Sequence, residues 1–392
     1  DWSDASGLIF TEVQDSRDNY GEIRLSKLDF SVWAGLDEVY SNAAGFAYHP
    51  LGGDGYYYEP IGGDIFLDNK HTPGDGYFEH VLAHEIGHAL GLAHPFEGYN
   101  AFGSSNASYS VTETVMTYNE EGKLFPVSPM PIDIAAMQFL YGGNSSANAG
   151  DDAYIISEPL FDTSKSEYAL AGNGTYGNGG RISVIDTSGV DVLVLEGDFD
   201  EGVFINLQPG SWSNVRNSVD ILFSADTENL LNSSFSTTAA SPATEELLDN
   251  YGQIYIDSNS VIEGCELSDY SDVIIDNYGS NNIICYSGDD KVSLSIGNDI
   301  VDGGLGLDTV SLFGQESYYT FSKTNDSEVS VYLSASGEGA IGNLFGSDFE
   351  KFVLKNVEKV SFYNSDGVTG AETDLASLIT STLTETLHGQ LD

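Results

Sequence analysis

The chain has 392 residues, 41% of them hydrophobic, with 23 Tyr and 20 Phe. That is enough apolar and aromatic mass for more than one folded core, and it excludes a disordered chain. Sixty-one acidic residues against 13 basic ones leave a formal charge of −48, which repels nucleic acid and anionic membranes and so excludes both as partners. The carboxylate excess serves either solubility in salty surroundings or the collection of hard cations such as calcium.

Two cysteines, Cys265 and Cys285, are too few for a disulfide scaffold. No apolar run approaches the ~20 residues of a membrane span, so no membrane insertion is expected. The chain opens at Asp1 without a Met, a basic stretch or an apolar stretch, and reads as a mature or trimmed product.

In chain order, residues 8–13 and 22–25 alternate in polarity and read as strands. Residues 45–60, rich in Gly and Tyr, read as a loop, and 62–68 as another short strand. Residues 77–90 carry no Pro and place Phe78, Val81, Leu82, Ile86 and Leu90 at helical spacing, with Gly91 as the stop. A second helix is expected from Pro131 to Tyr141, opened by Pro131 and closed by Gly142 and Gly143. The small polar segment 144–152 marks a domain boundary, and beyond it short β-branched runs alternate with Gly, Asn, Asp and Ser. An all-β second domain is expected there, although 225–260 has no assignment.

That region hides a period of nine. Gly279, Gly288, Gly297 and Gly306 are each nine residues apart; Asn281, Asp290, Asp299 and Asp308 follow two beyond, and Ile283, Val292, Val301 and Val310 four beyond. Asp272 and Ile274 keep the register one unit earlier, with Tyr270 in the glycine place. The last unit, with Gly303, Gly304, Gly306, Asp308 and Val310, matches the full nonapeptide of calcium-binding β-rolls.

Residues 84–94 read His-Glu-Ile-Gly-His-Ala-Leu-Gly-Leu-Ala-His. Residues four apart on a helix share a face, so His84 and His88 can offer imidazole nitrogens to one ion. Gly91 permits a turn with positive φ that brings His94 back as a third ligand. Three neutral imidazoles leave zinc an open position, the mark of a catalytic site. Glu85 reaches the same cavity without ligating and is the expected general base and acid for water attack on an amide. His80, one turn before His84, is read as a solvated or supporting residue, and His49, His71 and His388 as structural.

The extended histidine motif, Pro95 after it and Val115-Met116-Thr117-Tyr118 downstream resemble the metzincin clan, and within it the serralysin family of secreted bacterial proteases. The likeness runs from Trp2 to Tyr141, includes residues 133–138, and continues into the nonapeptide roll. The resemblance implies a two-domain protein: an α+β metzincin catalytic domain, residues 1–143, then an all-β domain, residues 150–392, with a parallel β-roll and flanking β-sandwich. It implies that Met116 floors the three histidines, and that Tyr118 ligates the resting zinc through its phenol and then supports the oxyanion. The strand around 62–68 would be the upper edge along which an extended peptide lies by strand addition. One catalytic Zn2+ and several structural Ca2+ ions are the implied cofactors. Calcium would lie between acids 18 residues apart: Asp272 with Asp290, Asn281 with Asp299, Asp290 with Asp308. Gly288, Gly297, Gly303, Gly304 and Gly306 would turn the chain around the ions. The Asn281 site is expected to be the weaker one, for want of a carboxylate.

Two features depart from the family pattern. Only the last residues of the domain's usual first helix are present, and residues 387–392 lack the usual acidic-then-hydrophobic export ending. Cys265 falls in the inward aliphatic series and Cys285 at a turn start, so both are expected as free thiols. The reading is a secreted, extracellular, monomeric zinc endopeptidase of broad specificity acting on proteins and peptides, with room for a proteinaceous inhibitor. Its rivals are a calcium-binding adhesion or surface protein with a non-catalytic metzincin-like domain, which should lack Glu85, and a processing protease of narrow specificity.

Overall fold

The computed structural model describes residues 1–14, 16, 20–32, 43–50, 61–73, 77–96, 109–118, 125–157, 180–197, 199, 201–215, 253–346, 349–363 and 371–379. Two compact units emerge: Asp1–Ala147 with Ser157–Ile185, and Asn148–Ile156 with Asp186–Asp392. The described residues are mostly β with few helices. The tail with His388 and most of 225–260 lie outside them.

The first unit holds a small sheet and two helices. Strands β1 (Leu25–Leu28), β2 (Gly45–Ala47) and β3 (Ile65–Asp68) pair in the order β1-β3-β2, with β1 parallel and β2 antiparallel to β3. Helix α1 spans Tyr77–Ala89 and helix α2 spans Pro131–Tyr141. Ile65 and Leu67 of β3 meet Phe78, Val81 and Ala89 of α1 in one core. An acid in the first turn of α1, Glu79, complements the helix dipole.

Three sequence expectations are corrected here. Residues 8–13 form no strand: no described strand pairs with them, and Ile9, Phe10 and Val13 stand exposed. The supposed loop at 45–60 begins with β2; its remainder, 51–60, lies outside the described residues. Lastly, β3 is the central strand among the described three, so the edge beside α1 is β2. Gly45 explains the misreading. A Cβ there would come within 2.8 Å of Val81 and 3.0 Å of Glu85, so only glycine lets this strand approach the helix so closely.

The second unit is built from two interleaved ladders. Strands β4 (Ala153–Ser157), β6 (Val192–Glu196), β10 (Gly264–Glu266), β12 (Asn282–Ile284), β14 (Ile300–Asp302) and β18 (Phe352–Lys355) run through one sheet. Strands β7 (Phe204–Asn206), β11 (Val273–Ile275), β13 (Lys291–Leu294), β15 (Thr309–Phe313) and β19 (Lys359–Tyr363) run through the other, while the short strands β5 (Ile182–Val184), β8 (Trp212–Ser213) and β9 (Ile254–Ile256) belong to neither. Successive strands alternate sheets, so parallel neighbours such as Cys265↔Ile283 and Val292↔Val310 are 18 residues apart. Ile274, Ile283, Val292, Val301 and Val310, the aliphatic series of the repeat, are all buried and stack inside. Cys265 and Cys285 are buried free thiols. The hairpin of β16 (Tyr319–Asn325) and β17 (Glu328–Leu333) continues the first sheet antiparallel to β18.

Candidate metal centres

Helix α1 ends in a left-handed turn. Gly91 has φ 99°; its N–H bonds His88 O at 2.9 Å, and Leu92 N–H bonds Gly87 O at 2.9 Å, the paired bonds of a glycine C-terminal cap. This reversal carries His94 back over the helix. His94 Nε2 then lies 3.1 Å from Nε2 of both His84 and His88. His84 Nδ1 donates to Val115 O and His88 Nδ1 to Leu92 O, each at 2.8 Å, which leaves both Nε2 atoms as lone-pair donors.

These residues fit zinc. Zn–N bonds of about 2.0–2.1 Å in a tetrahedron set nitrogens about 3.4 Å apart, close to the separations here. Burial, and then the neighbouring His88, push the His84 imidazole well below its ordinary range, so it stays neutral and able to ligate. Glu85 is buried, and its Oε2 has no hydrogen-bond partner among the described residues. Desolvation alone pushes its carboxyl up to about 8, a cost that a divalent cation beside it would offset.

Met116, 2% exposed, packs against α1 at Gly87. A Cβ on Gly87 would overlap its Sδ, so glycine in the middle of the motif makes room for methionine. Tyr118 is exposed, yet its ring centroid stands 4.5 Å from that of His94 and 5.6 Å from that of His84. A pocket of about 320 Å³ opens beside Glu85, bordered by Ala44, Gly45, Tyr77, His80, His84 and Tyr118. His80 is buried rather than solvated: its Nδ1 bonds Pro126 O at 2.8 Å and its ring lies 4.9 Å from Phe125, outside the group of three. His49 sits 5.3 Å from His88, ring to ring.

Asp133 was legible only as part of a motif; its role was missed. From α2 it accepts Thr114 Oγ1 on one oxygen and the backbone N–H groups of Val115 and Met130 on the other. No spacing within the histidine motif signals this.

The second unit carries a row of acids, each just before its strand. The N–H of Asp272 donates to Asp290 Oδ1, that of Asn281 to Asp299 Oδ1 and that of Asp290 to Asp308 Oδ1, at 2.7–2.9 Å. Asn281 Oδ1 and the Oδ2 atoms of Asp290, Asp299 and Asp308 are buried and unpartnered among the described residues. Asp272 differs: Ser268 and Val203 satisfy both its oxygens. Gly288, Gly297, Gly304 and Gly306 all have positive φ, and a Cβ on any of them would run into the carbonyl of the turn 18 residues earlier. Gly303 lies against the Asp308 side chain.

The row extends beyond the nonapeptides. Glu263 accepts the N–H of Asp191, and Glu358 that of Asp308, so both fill the same place. Asp152, Asp186 and Asp191 form a second group of three metal-capable side chains, with ligand atoms all within 4.8 Å, and Asp191 Oδ2 is buried and unpartnered. An acid two residues before a buried Cys or aliphatic residue, as in Asp191-Val192-Leu193 or Glu263-Gly264-Cys265, was the available signal. Irregular spacing hid it.

No protein-family model matches the chain. It is 30% identical to Serralysin B of Dickeya chrysanthemi over 257 residues, 59% of this chain and 49% of that protein. It is 29% identical to Metallopeptidase AprA of Pseudomonas marginalis over 242 residues, 55% and 45% of the two chains. To Serralysin of Proteus mirabilis it is 29% identical over 235 residues, again 55% and 45%. The chain spans about half the length of these relatives.

Proposed function

The chain belongs to the serralysin family of metzincins, and on that premise we propose that it is a secreted, calcium-stabilised zinc endopeptidase that cuts internal peptide bonds with broad specificity. The observation that carries this reading is the convergence of His84, His88 and His94 at 3.1 Å beside a buried carboxylate, Glu85, on an open pocket.

In this reading residues 1–143 are the metzincin domain and 150–392 the roll. Held by the three imidazoles, zinc would polarise the attacking water and the scissile carbonyl. Glu85 takes the proton of that water and returns it to the departing nitrogen; its burial keeps competing solvent away from the transfer. Tyr118 is the residue to hold the carbonyl oxygen as charge develops on it. Along β2 the substrate adds as a further strand through main-chain bonds, which are indifferent to side chains and so favour breadth. The orphaned oxygens of Asp290, Asp299 and Asp308 support calcium in the roll. Protein and peptide substrates and a monomeric state complete the proposal; among the described residues no helix is long and apolar enough to cross a membrane.

The test is metal analysis of purified protein beside a caseinolysis assay. One zinc per chain, cleavage abolished by a zinc chelator and recovered on adding zinc are the expected results. Cleavage indifferent to the chelator contradicts the metal mechanism, and a zinc-loaded but inactive protein favours the adhesion reading.

A further inference from the structure

One position of the repeat holds a residue that neither the stacking of the roll nor the proposed catalysis explains. Leu267, Asp276, Cys285 and Leu294 recur every nine residues at the start of successive turns, and all four are buried, with Asp276 at 0% exposure. Three are apolar or nearly so. A lone carboxylate in that column carries a large desolvation cost unless a partner compensates it. Among the described residues Asp276 has no Lys or Arg partner; both its oxygens take the N–H of Ser295, at 2.9 and 2.8 Å.

That bond locates the carboxylate. Ser295 is the second residue of the turn 18 residues on, and its Oγ donates to Asn277 O at 2.9 Å, so the turn 276–281 is stacked on the turn 294–299 with the Asp276 side chain spanning them. In the same pair of turns Asn281 N–H donates to Asp299 Oδ1 at 2.8 Å. The Asn281 Nδ2 donates to Ile262 O at 3.2 Å, which fixes the orientation of that amide. Asn281 Oδ1 and Asp299 Oδ2 remain as buried oxygens without a hydrogen-bond partner among the described residues, on side chains only 1% and 0% exposed.

We propose that Asp276 is a cation ligand, forming with Asn281 and Asp299 a calcium site in which an acid five positions earlier supplies the charge that position 281 lacks. The proposal rests on the reading of the roll as calcium-binding and corrects the expectation that the Asn281 site is the weak one. Two carboxylates and an amide oxygen are hard donors with a joint charge of −2, the chemistry of a calcium site rather than of a softer metal.

The experiment is calcium binding to the full chain, with stoichiometry from equilibrium dialysis and affinities from calorimetry. Asp276→Leu should bind one calcium fewer than the parent, yet melt higher than the parent in calcium-free buffer, since it completes an apolar column. Asp276→Asn, which keeps the shape if the Leu variant does not fold, should weaken one site more than tenfold. Adding Asn281→Asp to Asp276→Asn should restore it. Asp290→Asn serves as the control for the roll as a whole. If that control loses calcium while the Asp276 variants bind as many ions as tightly as the parent, the present proposal fails alone. If the parent binds no calcium, the calcium reading of the roll fails with it.

Discussion

The carboxylate of Asp133 holds the backbone N–H of Val115 at 2.7 Å, and the carbonyl of the same Val115 holds His84 Nδ1 at 2.8 Å. One residue of α2 thereby sets the rotation of a candidate metal ligand on α1, through a single peptide segment. Thr114 Oγ1, also on Asp133, accepts the N–H of Met116, so the backbone at that buried methionine hangs from the same acid. Such outer contacts fix ligand tautomer and ring orientation.

Asp133→Ala should therefore cost about 3 kcal/mol of stability, because three buried donors lose their acceptor, and should weaken zinc binding at least tenfold. Asp133→Asn should cost less, since its carbonyl can still serve both N–H groups. Calorimetric melting and zinc titration of the two variants check this order.

Asp133 also predicts a pH dependence. Burial, against the opposing bonds from Thr114, Val115 and Met130, pushes its carboxyl up to about 6 from an ordinary value near 3.8. A group raised on folding adds stability that is complete below the lower value and is lost as pH climbs through the higher one. Between pH 4 and pH 7 the parent should lose on the order of 2 kcal/mol relative to Asp133→Asn. Parallel slopes for the two proteins in chemical denaturation would remove Asp133 as the source.

Gly87 and Gly45 are tests of close approach. Gly87→Ala should drive Met116 off its seat against α1 and destabilise the first unit by about 2 kcal/mol. Gly45→Val should push β2 away from Val81 and Glu85, lowering kcat/KM for casein more than it lowers stability. A melting scan beside steady-state proteolysis separates the two effects.

In the roll, Gly306 has φ 146°, and a side chain there would run into the Gly288 carbonyl. Gly306→Ala should cost about 3 kcal/mol, by backbone strain and overlap together. Calcium chelation should lower the melting temperature of the parent's second unit before that of its first. A scan in which chelation moves neither transition contradicts a calcium-filled roll.

The three histidines, Glu85 and the alternating acids were legible because each depends on a local rule: helical spacing, a glycine stop, a fixed period of nine. Less visible was whatever joins distant segments. Nothing near residue 133 announces that its acid supports a histidine 49 positions earlier. The edge strand was misread because Gly45, which suggests a loop by composition, is there for a steric reason that only Val81 and Glu85 reveal. Asp152, Asp191, Glu263 and Glu358 stayed hidden because pairing in the sheets, rather than sequence periodicity, brings them into one row. Residues 8–13 had the alternation of a strand but found no partner, and a strand pattern alone does not supply one.

The central claim is that Glu85 acts as base and acid at a metal held by His84, His88 and His94. Its most direct test is zinc content measured together with caseinolysis for Glu85→Gln. The account predicts one zinc per chain, as in the parent, with proteolysis reduced by several orders of magnitude. Zinc retained with activity near the parent's would contradict it.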